Sequence, residues 1–241
     1  MPYSQIQKFT CHFVLIALTS ISLSHASGNI VAKIERPYIQ LLENEIEYEF
    51  TLQSDDRELL DQQIKHSFSI GKSLSDYLSL ELGVSGKDSD FDNFYIDEYE
   101  IELKWQLTEQ GEFNNDWAVL FEIEHEHDDD VWEFSTNLIV LHQWNRWIGT
   151  ANIGIKYETS SKIDDELEAE FAGQLKYRYK QSLEPAIEYF KNEDTNAIGP
   201  SLLGKIKLNN RKSIYWGVGM LFSLDGSNAD STFRTNIEFE F

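Results

Sequence analysis

The chain ends Thr232-Phe-Arg-Thr-Asn-Ile-Glu-Phe-Glu-Phe241. Phe233, Thr235, Ile237, Phe239 and Phe241 share one parity; Thr232, Arg234, Asn236, Glu238 and Glu240 share the other. A period of two puts the two sets on opposite faces of a β-strand, one apolar and one polar. A soluble sheet protein rarely ends on such a strand with an aromatic as its very last residue. The pattern suits a strand that shows its apolar face to lipid.

The same alternation recurs upstream and predicts strands over 45–53, 64–70, 77–85, 95–107, 117–125, 132–144, 149–158, 168–179, 185–191, 201–208 and 214–224, before the closing 232–241. Polar and turn-forming residues separate them, such as Asp128-Asp-Asp130, Asn145-Arg146 and Asn209-Asn-Arg-Lys212. Twelve is an even number, as single-chain outer-membrane barrels require. The connections after the second, sixth, eighth and tenth strands are short, and the odd-numbered ones are mostly longer and richer in Asp and Asn. With both termini in the periplasm, short turns would fall inside and long loops outside. Trp105, Trp117, Trp144, Trp147, Tyr177, Tyr179, Trp216 and Phe241 fall at one set of strand ends, and Tyr95, Trp132, Tyr157, Phe171, Phe222 and Phe233 near the other. Two aromatic belts around an aliphatic band mark the two membrane interfaces. The reading is an all-β chain: a transmembrane, antiparallel, up-and-down β-barrel of about 12 strands.

The other end of the chain carries an export signal. Lys8 is the only charged side chain before an apolar run from Cys11 to Leu23, and Ser24-His-Ala26 precedes Ser27. This is the layout of a cleaved signal peptide over 1–26, and the apolar run is too short for a spanning helix. Residues 27–44 read as an extended lead-in on the periplasmic side, and 45–241 as the barrel. The single cysteine, Cys11, leaves with the signal, so disulfides are excluded. A net charge of −22, from 42 acidic and 20 basic residues, argues against nucleic acid, whose phosphates need Lys and Arg. A mean hydropathy of −0.42 is compatible with a membrane barrel, because only alternate strand residues meet lipid.

The last strand resembles the closing strand of bacterial outer-membrane barrels, which also serves as their assembly signal. That resemblance implies that the barrel-assembly machinery reads Phe241. Glu184-Pro-Ala-Ile-Glu-Tyr-Phe190, Gly199-Pro-Ser-Leu-Leu-Gly204, Trp216-Gly-Val-Gly-Met-Leu-Phe222 and Glu238-Phe-Glu-Phe241 extend the likeness. Together they resemble a group of poorly characterised proteobacterial outer-membrane barrel proteins of transporter-like or porin-like type. The resemblance implies the outer membrane of a Gram-negative cell, with lipid and lipopolysaccharide as neighbours. It transfers no catalytic residue and no cofactor.

The inward parity places Glu98, Glu100, Glu102, Glu122 and Glu124 on one wall of the lumen, and Lys156, Lys176, Arg178, Lys205, Lys207 and Arg234 on a more basic one. Charged rings set selectivity in pores, and an acidic excess favours cations. The expected function is a narrow channel or transporter for small cationic or polar solutes. A plugged structural or surface-interaction barrel, filled by its own Glu–Lys and Glu–Arg networks, is the alternative. A lipid-modifying enzyme ranks below both. His66, His125 and His142 face outward, but Ser67, Ser69 and Ser135 face inward and no G-x-S-x-G occurs. His125-Glu-His-Asp-Asp-Asp130 reads as a solvated acidic loop rather than a metal site, since strong sites need a fixed ligand geometry.

Overall fold

The computed structural model describes residues 33–241 apart from 41–43, 55–61, 90–91, 163, 210–211 and 227–228. The expected signal peptide lies outside the described residues. The strands are β1 (Asn44–Ser54), β2 (Gln62–Ser75), β3 (Leu78–Ser89), β4 (Asp92–Gln106), β5 (Asn115–Glu126), β6 (Val131–Trp144), β7 (Trp147–Ser160), β8 (Glu166–Tyr177), β9 (Glu184–Lys191), β10 (Asn196–Asn209), β11 (Lys212–Ser223) and β12 (Ser231–Glu240). Each pairs antiparallel with its neighbours in sequence, and β1 pairs with β12, so the sheet closes into a barrel. Strand number and up-and-down order match the alternation.

Closure runs from Glu45 opposite Glu240 to Ser54 opposite Ser231. Beyond it, the Asn44 N–H donates to the Phe241 carbonyl and the Phe241 N–H to the Asn44 carbonyl, both at 2.9 Å. The terminal aromatic is thus pinned to the start of the first strand, and the sheet keeps no open edge there. The end of the barrel holding this pair is called the terminal end below.

The faces are inverted relative to a soluble protein. Ile153, Ile155, Ile187 and Ile237 point outward and are more than half exposed, whereas Glu47, Glu188, Arg234 and Glu238 are buried inside. Only a solvent of hydrocarbon makes such an exterior favourable. Aromatic rims bound the apolar band. At the terminal end Trp147 contacts Tyr177 (4.9 Å between centroids) and Phe239 stacks on Phe241 (5.3 Å). At the far end His125 lies against Trp132 (4.5 Å) and Phe50 against Phe233 (6.3 Å). Phe171, expected in the far belt, instead sits opposite Ile153 in mid-strand. The two-residue turn at Asn145-Arg146 is allowed by Asn145, which takes a φ of 55°.

Two stretches expected as loops are strand. Residues 86–89 and Asp92 extend the β3–β4 hairpin, whose ladder is irregular between Ser85 and Gly86 and between Lys87 and Ser89. Each irregularity breaks the period of two from which strands are recognised. Likewise β10 starts at Asn196 rather than 201. Its ladder to β11 jumps from Ile198–Phe222 to Ser201–Gly219, although pairing to β9 is continuous. Pro200 has no N–H to donate, and a Cβ at Gly199 would lie 1.8 Å from the Met220 carbonyl oxygen.

If Ile153 meets the hydrocarbon, Ile153→Arg destabilises the refolded barrel by about 2–4 kcal/mol in a denaturant titration in lipid vesicles. A change within about 0.5 kcal/mol would place this face in water.

Candidate functional site

Residues 33–40, expected as a lead-in on the periplasmic side, run inside the lumen as an extended strap. Near the terminal end the Tyr38 hydroxyl donates to Asp116 (2.6 Å), the Ile39 N–H to Gln106 Oε1 (2.7 Å) and Gln40 Nε2 to Glu240 (2.7 Å). Deeper in, the Glu35 N–H donates to Asn152 Oδ1 (2.7 Å) and Asn152 Nδ2 returns a bond to the Glu35 carbonyl (3.1 Å). Ion pairs flank this exchange: Arg36–Glu238 at 3.3 Å, Lys33–Glu35 at 3.2 Å, Lys33–Glu47 and Lys104–Glu35. The Arg36 guanidinium also lies 4.2 Å from the centre of the Tyr215 ring. Ile34 packs with Phe190, Ala197 and Leu221.

One feature of the sequence points to this strap. Ala118, Leu120, Ile139, Leu141 and Ile148 carry the inward parity of β5 to β7, and all are buried. A water-filled lumen would leave these apolar groups wet, so their presence implies a cover. The strap and the wall divide the remaining space into two cavities that share Lys33 and Glu35. One, of about 250 Å³, reaches towards Lys87 and Glu126 at the far end. The other, of about 750 Å³, opens among Arg36, Lys180, Glu184 and Glu240 at the terminal end.

The smaller cavity contains the most unusual feature of the lumen. Glu98, Glu100 and Glu102 of β4 stand directly opposite Glu126, Glu124 and Glu122 of β5, and Glu124 also faces Glu133 of β6. Like charges in opposed positions destabilise a sheet, so nothing in strand pairing favours this ladder. Carboxylate oxygens of Glu98, Glu100 and Glu124 lie within 4.8 Å of one another, as do those of Glu100, Glu102 and Glu122. The rung nearest the far end, Glu98–Glu126, is neutralised: Lys65 donates to both oxygens of Glu98 at 2.9 Å, and Lys87 lies 2.8 Å from Glu126. Among the described residues no ion pair reaches Glu100, Glu102, Glu122 or Glu124. This arrangement can hold a cation between carboxylates on neighbouring strands.

The basic candidates are spread differently from the expected wall. Lys156 of β7 pairs with Glu158 (2.5 Å), Glu133 (3.4 Å) and Glu168 (3.7 Å). Arg234 of β12 pairs with the fully buried Glu188 of β9 at 2.7 Å, and Gln174 donates to the same carboxylate at 2.8 Å. Lys176 pairs with Glu184 (2.8 Å) and Lys205 with Glu240 (3.4 Å). Arg178 and Lys207 line the terminal-end cavity beside them. A bare basic wall facing an acidic one is therefore not present: Glu158, Glu168, Glu184 and Glu188, which lie on β7 to β9, neutralise most of it. The lumen is graded along its axis instead, with acid uncompensated midway and bases gathered towards the terminal end.

The outward histidines are engaged at the rims. His66 Nδ1 lies 2.7 Å from the Tyr48 hydroxyl, His125 lies 3.2 Å from Asp130, and His142 Nδ1 is 2.8 Å from both the Asn114 carbonyl and Asn115 Oδ1. Ser67 and Ser69 are on the opposite face, bonded to Ser85 and Glu81. In the acidic tip, the His127 N–H donates to the Asp97 carbonyl (2.7 Å). On the next far-end loop, hydrogen bonds from Thr159 and Tyr157 hold the Asp165 carboxyl below the usual carboxylate range.

A closed twelve-stranded barrel with a lipid-facing exterior and a charged lumen has the fold of bacterial outer-membrane channels. No protein-family model matches the chain, and no curated protein is similar to it in sequence. Solved structures do match. An outer membrane channel from Pseudomonas putida F1 aligns with a TM-score of 0.56 at 10% identity, over 88% of this chain and 99% of that one. The NanC porin aligns with a TM-score of 0.55 at 6% identity, over 82% and 98%. The KdgM porin, in complex with disordered oligogalacturonate, aligns with a TM-score of 0.53 at 11% identity, again over 82% and 98%. At these identities the likeness is one of fold.

The buried Arg234–Glu188 pair offers a check on the lumen geometry. Arg234→Met leaves a buried carboxylate without its cation and costs about 3–5 kcal/mol of barrel stability. Adding Glu188→Leu should recover most of the loss in the same unfolding titration, and a double variant no more stable than the single one would contradict the pairing.

Proposed function

We propose that this protein is an outer-membrane channel that passes small cationic or polar solutes. The observation that carries the reading is the uncompensated glutamate ladder of Glu100, Glu102, Glu122 and Glu124, which lines a cavity of the lumen. Opposed carboxylates weaken the sheet, so a permeant cation that sits between them supplies the missing charge. The barrel folds of the porins and of the Pseudomonas channel support a transport role. An environment in the outer membrane follows from the same fold and from the apolar exterior.

The occupied lumen favours a second reading, a surface-interaction barrel without transport, because residues 33–40 already fill part of the passage. Liposome swelling separates the two. With the purified protein in vesicles, a small alkylammonium salt should enter several-fold faster than a carboxylate salt of equal size. Glu100→Gln with Glu122→Gln should abolish most of that difference while the barrel stays folded. Faster entry of the anion overturns cation preference, and no swelling by either salt favours the barrel without transport.

A further inference from the structure

We propose that residues 33–40 are a cation-displaced gate: the strap closes the lumen by lending its own Lys33 and Arg36 to wall carboxylates, and permeant cations open it by replacing them. The proposal rests on the channel reading above and supplies its regulation.

The described strap runs inward from the terminal end. Tyr38, Ile39 and Gln40 bond to Asp116, Gln106 and Glu240 near the terminal end, whereas Lys33 and Ile34 reach Glu47 and the Phe190–Ala197–Leu221 cluster deeper in the barrel. Pro37 is fully buried, and it holds Arg36 in an extended backbone, which stiffens the segment so that it moves as a unit. At roughly 3.3 Å per residue, the seven residues from Lys33 to Ile39 span about 23 Å, enough to clear the terminal half of the lumen.

The bonds that hold the strap are of a releasable kind. Apart from the buried Ile34 and Pro37 and the Arg36–Tyr215 ring contact, the contacts are hydrogen bonds and ion pairs to Glu47, Lys104, Gln106, Asp116, Asn152 and Glu238. Glu47 and Glu238 are buried, and a buried carboxylate that loses its cation is costly, so release needs a permeant cation to take the place of Lys33 or Arg36. A strap built to be permanent would bury apolar side chains along its length. This one buries two, Ile34 and Pro37.

Withdrawal also changes what the passage prefers. Lys33 and Arg36 leave Glu47 and Glu238 facing the lumen, which extends the acidic lining from the ladder towards the terminal end. Opening should thus raise conductance and cation preference together, and it should be promoted by cations themselves.

The test uses protein extracted from outer membranes, in planar bilayers, in a Cys11→Ser background. Tyr38→Cys with Asp116→Cys places two thiols where a 2.6 Å hydrogen bond now joins strap and wall, for bridging by a short cleavable bis-thiol reagent. Folding of each variant is checked by heat-modifiable migration. The bridged protein should be shut at all salt concentrations, cleavage of the linker should restore conductance, and Lys33→Gln with Arg36→Gln should raise the open fraction several-fold at low salt. If the wild type conducts and the bridged protein conducts equally, the gate is wrong and the channel stands. If folded wild type, the charge variant and a variant lacking 33–40 are all silent, the channel reading fails and the gate fails with it.

Discussion

The whole structure depends on one constraint: in hydrocarbon, every backbone N–H and C=O must find a partner within the sheet. The ladder between β1 and β12 meets that constraint where an open sheet would fail, and the reciprocal bonds between Asn44 and Phe241 complete it at the rim. Once the sheet is closed, side-chain parity does the rest. One set of residues must suit lipid and the other is free to be charged. The lumen can then concentrate glutamates at a density that no soluble core tolerates, because the outer face supplies the stabilising burial.

Within the lumen, charge is arranged with two different consequences. Arg234–Glu188, Lys176–Glu184 and the Lys156 cluster act as struts, each a cation set among carboxylates that would otherwise repel. Among the described residues no ion pair reaches the Glu100–Glu124 and Glu102–Glu122 rungs of the β4–β5 ladder, and they stand beside a cavity rather than in a packed interior. Under the proposed channel reading, stability and transport fall to different glutamates on one polar face. The strap belongs to both groups, since its ions satisfy the wall and its backbone fills the passage.

Much of this was legible in the chain because a period of two encodes both strand and face. Ile237 outward and Glu238 inward follow from parity alone, as do all the ladder glutamates. Legibility ended where the period was broken or did not apply. The bulged hairpin around Gly86 reads as a loop because its register shift resets parity, whereas Gly199-Pro200 reads as one because Gly and Pro are turn residues, although parity is kept there. The neutralisation of Lys156 and Arg234 was hidden, because parity places a side chain in the lumen without saying which neighbour it meets. The strap from Lys33 to Gln40 has no alternation, for it pairs with side chains rather than with another strand. Only the inward apolar residues of β5 to β7 pointed to it.

The central claim is that the net field of the lumen favours cations. The direct measurement is the zero-current potential of the wild-type channel in a planar bilayer under a potassium chloride gradient. A potential displaced towards the potassium equilibrium value is the predicted result. A potential at zero, or displaced towards chloride, would contradict it.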